Sequence, residues 1–232
     1  MRGIETETKL ELCETDYLTL SHAGEIRKST EQLNVYYDWE WVLANSGCTF
    51  RVRFSLAGAP IVTLKTPLSR HEATRTATEI EQVASELFGP RPARYSPPTL
   101  LVDRLPGDYA STLQAMGVSQ LRRVGWTRNR RMVLSAGEHG SFELDRLELP
   151  GGGVVFEVEI EHPNGYSDSL VEFVRQRAPS AKPSVRSKFE RFCDASRAAD
   201  RSRSSDATLS VLQNNPRRTF GWPLPARAAH DC

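Results

Sequence analysis

Ile4-Glu5-Thr6-Glu7-Thr8-Lys9-Leu10-Glu11 is the stretch on which the reading of the fold turns. It alternates without a break, with Ile4, Thr6, Thr8 and Leu10 on one face and Glu5, Glu7, Lys9 and Glu11 on the other. A period of two is that of a β-strand, because successive side chains leave a strand on opposite sides. Here one whole face is ionised, and the same division recurs downstream. Arg51 and Arg53 oppose Phe50, Val52 and Phe54, and Lys65 opposes Val62 and Leu64. Glu157, Glu159 and Glu161 oppose Phe156, Val158 and Ile160.

For a single strand, such a face is commonly the solvated side of a sheet. The set argues otherwise. Three acids alternating on one strand repel one another unless cations lie between them, and ionised rows taken out of water must be paired. A closed barrel with a polar interior and an apolar outside under helices meets both conditions. Carboxylates on such a wall are hard oxygen ligands for Mg²⁺ or Mn²⁺, and the arginines and lysines facing them suit phosphate oxygens.

The rest of the chain supplies the frame. Strands are expected near Asn34–Asp38, Thr49–Leu56, Ile61–Thr66, Leu121–Arg128, Arg131–Ser135, Phe142–Leu149 and Val154–Glu161. Gly58-Ala59-Pro60 and Gly151-Gly152-Gly153 read as turns. Leu18–Leu33 reads as a helix or turn region, and Glu72–Phe88 as a strand that becomes helical on an Ile80, Val83, Ala84, Leu87 stripe. Pro90–Pro98 is a connector, and Ser111–Met116 is a short helix with a serine start and a glycine stop. Leu170–Arg177 and Val185–Phe192 are further helices. From Ser196 to Cys232 the composition turns to Ser, Arg, Asp, Asn and Pro, which predicts a disordered tail after a folded domain of residues 1–195.

Composition bounds the function. The 232 residues are 39% hydrophobic and 25% charged with a formal net charge of +1, which suits one soluble domain and gives no bulk pull toward nucleic acid or membrane. Cys13, Cys48, Cys193 and Cys232 lack paired spacing, so free thiols are expected. No apolar run reaches membrane-span length and the first residues are charged, so a cytoplasmic protein is expected. The five histidines, His22, His71, His139, His162 and His230, show no ligand spacing. Trp39 and Trp41 are read as packing residues ahead of any role in stacking on a ring. Arg217-Arg218 is too short a run to mark a nucleic-acid site.

Taken in order, several of these segments resemble the CYTH, or triphosphate tunnel metalloenzyme, superfamily. The resemblance rests on Glu5-Thr-Glu7-Thr-Lys9, Tyr36-Tyr37-Asp38, Phe50-Arg51-Val-Arg53-Phe54, Thr63-Leu64-Lys65-Thr66-Pro67 and the acids Glu79 and Glu81. It continues through Arg128, Leu144-Asp145, Phe156-Glu157-Val-Glu159-Ile-Glu161 and Ser187-Lys188-Phe189. It implies an α+β fold: an eight-stranded antiparallel β-barrel, the triphosphate tunnel, with helices packed outside. It also implies Mg²⁺ or Mn²⁺ held by Glu5, Glu7, Glu159 and Glu161 with Glu79 or Glu81. Lys9, Arg51, Arg53, Lys65, Arg128 and Lys188 would clamp the substrate, and Glu5, Glu7, Lys9 and Lys65 would form the catalytic group. Trp126, where a lysine is common, and Ala77, where some members place an acid, depart from the pattern and leave the register of Glu79 and Glu81 open. The expected activity is hydrolysis of a small-molecule triphosphate, inorganic triphosphate first, by a monomer or homodimer. The alternatives are thiamine, nucleoside or RNA 5′-triphosphatase, class IV adenylate cyclase, and a non-catalytic polyphosphate-binding module.

Overall fold

The computed structural model describes residues 2–55, 58–88, 96–163 and 167–207. Eight antiparallel strands close on themselves. They are β1 (Arg2–Leu12), β2 (Glu25–Asp38), β3 (Thr49–Ser55), β4 (Gly58–His71), β5 (Thr74–Val83), β7 (Gln120–Ser135), β8 (Ser141–Glu148) and β9 (Val154–Glu161). Around the ring the order is β1-β5-β4-β3-β2-β7-β8-β9, and β1 pairs with β9 to shut it. Two short strands lie outside the ring, β6 (Thr99–Leu101) on β7 and β10 (Lys182–Pro183) on β1. Closure leaves the ring with no unpaired edge.

At the closing seam Lys9 sits opposite Glu159 and Glu7 opposite Glu161, so the two rows read as charged in the sequence lie side by side on the inner wall. The outer faces carry the apolar residues and are covered by helices α1 (Glu14–Ser21), α2 (Val42–Asn45), α3 (Ser85–Phe88), α4 (Gly107–Ala115) and α5 (Asp168–Arg177). One cluster packs Val35, Phe50, Val52, Leu64 and Ile80 under Tyr109 and Leu113 of α4. A second packs Leu10, Leu144, Val158 and Ile160 under Leu20 of α1 and Val171 and Val174 of α5. The last helix, α6 (Lys188–Ala207), joins the barrel through Phe189 and Phe192, whose rings lie about 5 Å from that of Tyr36.

Several expectations need correction. Leu18–Leu33 is the end of α1 followed by the first half of β2, not one helical or turn region. Residues 25–29 of β2 are exposed, so no apolar period announces the strand; pairing with β7 makes it. The strand β5 runs to Val83 because β1 and β4 flank it, and only Ser85–Phe88 turns helical. Asn129 and Arg130 do not break β7, which is paired on both sides there. Helix α4 begins at Gly107 after Pro106, so Ser111 is not its cap. The expected tail begins too early, since α6 runs unbroken past Ser196 to Ala207 and the Arg197 guanidinium stacks over Trp41 at 5.3 Å. Residues 208–232, most of the 90–98 connector, Leu56, Ala57, His230 and Cys232 lie outside the described residues. The other three cysteines are free. Among the described residues no helix is long and apolar enough to cross a membrane.

How α6 meets the barrel yields a test. Gly125 on β7 lies opposite Tyr36, beside a register shift in β2, with φ at +154°. A Cβ built there would stand 2.5 and 2.7 Å from two ring carbons of Phe192. Gly125→Ala is therefore expected to cost about 1–3 kcal/mol by overpacking, read as a lowered urea midpoint. An unchanged midpoint would show that α6 does not dock by this contact.

Candidate active site

Inward-facing side chains of the ring enclose a cavity of about 440 Å³. Glu5, Glu7, Lys9, Arg51, Arg53, Lys65, Glu79, Glu81, Glu159, Glu161 and Lys188 all line it, so eleven of the twelve residues singled out in the sequence converge. The exception is Arg128. Inward positions on β7 are Thr127, Asn129 and Arg131, which puts Arg128 on the outer face, 3.9 Å from Glu148. The substrate role expected of Arg128 is corrected on this ground. Arg131, three residues on and on the opposite face, is the cation that β7 delivers to the cavity.

The lysines are already engaged. Lys9 Nζ donates to Glu159 Oε1 at 2.7 Å and lies 3.1 Å from Glu7. Burial alone would lower its pKa, but Glu159 and Glu7 outweigh it and hold the ammonium charged. Lys65 donates to Glu7 at 3.0 Å and contacts Glu5. Lys188 reaches Glu159 at 2.6 Å and also contacts Asp145. It gets there because Ser187 and Glu190 form a capping box at the start of α6. The Glu190 amide donates to Ser187 Oγ at 3.1 Å, and the Ser187 amide donates to Glu190 Oε2 at 2.5 Å.

Sequence reasoning missed a second network. Arg131 forks onto Asp145, with Nε at 2.9 Å and Nη2 at 2.6 Å, and reaches Glu159 at 2.5 Å and Glu143. Asn129 donates to Asp145 at 2.7 Å. Alternation along Phe142-Glu143-Leu144-Asp145 carried the signal for both acids, since Phe142 and Leu144 are core residues of the opposite face. Asp38 of the Tyr-Tyr-Asp segment is structural. Its carboxylate accepts from the amides of Trp39, Leu43 and Ala44 at 2.7–2.9 Å and so caps α2. Trp39 packs against the core beneath Arg122, and His162 is tied to Thr8 at 2.8 Å, so both have structural roles.

Two kinds of charge remain poorly met. Arg53 is half-buried and has no carboxylate within 4 Å among the described residues, and its Nε is buried without an acceptor. Burial, with repulsion from Arg51 and Arg131, pulls its pKa down to about 10. On the other side stand acids short of positive charge. Glu143 is pushed up to about 7, by burial first and then, against the pull of Arg131, by Glu159, Asp145 and Glu161. Glu5 is raised by burial and Glu7, and Glu161 by burial and Glu5. Under-neutralised hard oxygen donors of this kind fit a divalent cation such as Mg²⁺ or Mn²⁺. Among the described residues no three acids yet converge at ligand distance, because Glu5, Glu7 and Glu159 turn toward ammonium groups. Glu79 and Glu81 both face inward, level with Lys65 and Thr63, which settles their register. Glu79 lies 3.9 Å from Arg51, and Glu81 accepts from Thr63 at 3.1 Å.

Comparison with known proteins agrees with this architecture. The CYTH domain family matches residues 3–193, and the chain belongs to that family. A solved structure from Hippeastrum, of an adenylyl-cyclase candidate described as having a dominant triphosphatase activity, is 24% identical with a TM-score of 0.63; the match covers 82% of this chain and 95% of that one. A candidate adenylate cyclase from Bacillus halodurans is 20% identical with a TM-score of 0.61, over 82% of this chain and 98% of that one. A Pyrococcus horikoshii protein is 15% identical with a TM-score of 0.50, over 83% and 98%. These likenesses establish the fold, a closed eight-stranded antiparallel tunnel. No curated protein sequence matches the chain.

The Arg131–Asp145–Lys188 network makes a stability prediction. Burial would raise the Asp145 pKa, but Arg131 and Lys188 outweigh it and hold the carboxyl well below the usual range. Its contribution is therefore complete above the unfolded carboxyl value of ~3.9 and is lost as pH falls toward the depressed folded value. Asp145→Asn, which leaves buried Lys188 and largely enclosed Arg131 short of an anion, is expected to cost about 3–5 kcal/mol at pH 7. It should also flatten the acid limb of stability against pH below about 4. Denaturant melts across pH 2–7, a range set about those carboxyl values, check both.

Proposed function

We propose that the chain is a metal-dependent triphosphatase that hydrolyses inorganic triphosphate inside the tunnel. One observation carries the reading: Arg53, half-buried with no carboxylate within 4 Å among the described residues, shares a cavity with Glu161 and with Glu5 and Glu143, whose cations are shared with other acids. A ligand that brings both missing charges at once is a polyanion with divalent cations. A metal-free anion would satisfy the arginine and worsen the acids. The Hippeastrum relative's triphosphatase activity supports the same choice.

In this reading Arg51 and Arg53, two residues apart on β3 and about 7 Å apart along it, address neighbouring phosphoryl groups through their planar forks. Arg131 and Lys65 add positive charge from facing strands. Lys9 and Lys188 keep Glu159 and Glu7 ionised and fixed, which preserves the wall before substrate arrives. Glu5, Glu7 and Glu161, with Glu143, Glu159 and the β5 acids Glu79 and Glu81 alongside, would hold Mg²⁺ or Mn²⁺. Bound there, such an ion neutralises phosphate oxygens and acidifies a water. Water then attacks the terminal phosphorus, and the bond to the bridging oxygen breaks. Diphosphate leaves, its gathering charge met by the arginines. Among the described residues, no serine–histidine or cysteine–histidine pair lines the cavity to offer a covalent route.

Phosphate release from triphosphate with Mg²⁺ or Mn²⁺ tests the proposal, and EDTA is expected to abolish it. Release of cyclic nucleotide from ATP without triphosphate hydrolysis would make the chain a cyclase instead. Arg53→Met is expected to lower kcat/KM by ~10²–10⁴-fold, since the clamp acts in ground and transition states alike. Arg53→Lys should recover only part of this, because an ammonium lacks the fork. The ligand-free melting temperature of Arg53→Met should hold or rise, since a charge that Arg51 and Arg131 repel is removed. A large fall in melting temperature with kcat/KM intact would make Arg53 a structural residue.

A further inference from the structure

Two buried polar atoms without partners stand side by side in the wall. Strand register places Asn34 of β2 directly opposite Arg53 of β3, and side chains so placed have Cβ atoms about 4.5–5.5 Å apart. Asn34 is 1% exposed, and its carbonyl Oδ1 accepts nothing among the described residues. Arg53 Nε is buried with its donor equally unmet. A buried acceptor without a donor is destabilising, so such an orphan calls for a reason. The other neighbours of Arg53 are apolar or already engaged. Across β4 it faces Ile61. Diagonally, Thr63 donates to Glu81 at 3.1 Å, Gln32 Oε1 accepts from Asn129 at 3.3 Å, and the Tyr36 hydroxyl shares a hydrogen bond of 3.3 Å with Thr127. Among the described residues this leaves Asn34 Oδ1 as the acceptor beside Nε.

Asn34 lies behind the cavity surface. Arg51, Arg53 and Tyr36 line the cavity, and Asn34 is not among the described residues that do, so it can act on a ligand only through a neighbour. We propose that Asn34 is a positioning residue for Arg53: when an anion enters, Arg53 Nε donates to Asn34 Oδ1 and both Nη groups turn to the anion. The inference rests on the triphosphatase reading for the identity of that anion. In the ligand-free cavity Arg51 and Arg131 repel the Arg53 guanidinium. A polyanion lying among these arginines screens the repulsion and lets Arg53 settle against its neutral neighbour. With Nε fixed, the fork meets phosphate by its Nη pair and no longer by its Nε–Nη edge, and a fork held in place loses less freedom on binding. A carboxylate at position 34 would hold the guanidinium too, but at the expense of its charge. The amide orients the cation without discharging it.

Asn34→Leu, close in shape, deletes the acceptor and tests this. Because an unmet buried amide gives way to an apolar group, the ligand-free melting temperature should hold or rise. In calorimetry of triphosphate with EDTA, where turnover is arrested, Asn34→Leu is expected to weaken binding about 10-fold, the scale of one hydrogen bond to a charged group. KM with Mg²⁺ should rise alongside while kcat stays within about threefold. In the Arg53→Met background, Asn34→Leu should change nothing further, because its effect passes through Arg53. The bond itself is read by NMR of the arginine side chains. With triphosphate, or with sulfate as a simple anion, the Arg53 Nε–H should become slow to exchange with water in the wild type and in Asn34→Asp, which keeps an acceptor, but not in Asn34→Leu. An equal loss of binding in the Arg53→Met background would overturn the proposal, as would Nε–H protection that survives in Asn34→Leu. So would a wild-type Nε–H that neither anion protects, a result that needs no variant. Failure to hydrolyse triphosphate would instead sink the triphosphatase reading, and the sulfate titration would still report on Asn34 and Arg53.

Discussion

Charge enclosed by a wall of strands has to be balanced within that wall or by whatever enters it. The inner face of this barrel carries acids from β1, β5, β8 and β9 and cations from β1, β3, β4, β5, β7 and α6. Much of the balance is struck internally. Glu159 alone is held by Lys9, Lys188 and Arg131, which together outweigh its burial and keep it ionised far below the ordinary range. What internal pairing leaves over is divided by sign, with Arg53 on one side and, on the other, Glu161 and the acids that share a single cation, Glu5 sharing Lys65 with Glu7 and Glu143 sharing Arg131 with Asp145 and Glu159. That separation, more than the number of charges, is what the proposed metal-laden polyanion would balance.

The rest of the fold serves to hold those charges in place. Each strand of the ring presents an apolar outer row, and two clusters under α4 and under α1 with α5 cover these rows. Burying the outer rows supplies the stability that the polar interior does not, on the order of 25 cal/mol per Å² of apolar surface. Helix α6 has a different task. Its capping box fixes the first turn, Phe189 and Phe192 pack on Tyr36, and Lys188 is thereby pushed among Glu159 and Asp145. A residue far along the chain completes a network begun at Lys9 because the helix start is fixed by both its cap and its aromatic contacts.

Most of the wall is legible in the order of the residues. Strand periodicity assigns Glu5, Glu7, Lys9, Arg51, Arg53, Lys65, Glu159 and Glu161 to charged faces, and the family resemblance joins them into one site. The departures have separate causes. Arg128 is named by the family resemblance and not by any alternation counted along its own segment. Along the single strand β7 the inward positions are odd-numbered near Thr127, so Arg131 faces the cavity and Arg128 does not. Glu143 escapes notice because Ser141–Glu148 is short and its acids look like surface charge until β7 and β9 are placed on either side. The first half of β2 offers polar residues on both faces, so nothing local distinguishes it from a loop.

The sequence by itself determined which side chains share a side of their own strand, because that alternation is built into the extended backbone and reaches only from residue i to i+2. It determined as well that these faces were too highly charged to be left unpaired in an interior. Only the tertiary structure decided which charges meet. The pairing of Lys9 with Glu159, of Arg131 with Asp145, and of Arg70 with Arg75 depends on strand register, on bulges in β2 and β4, and on closure of β1 against β9. Those contacts join residues as many as 150 positions apart. Their choice follows from the packing of the whole ring, since a one-residue slip anywhere in it would turn a row of charges to the other face.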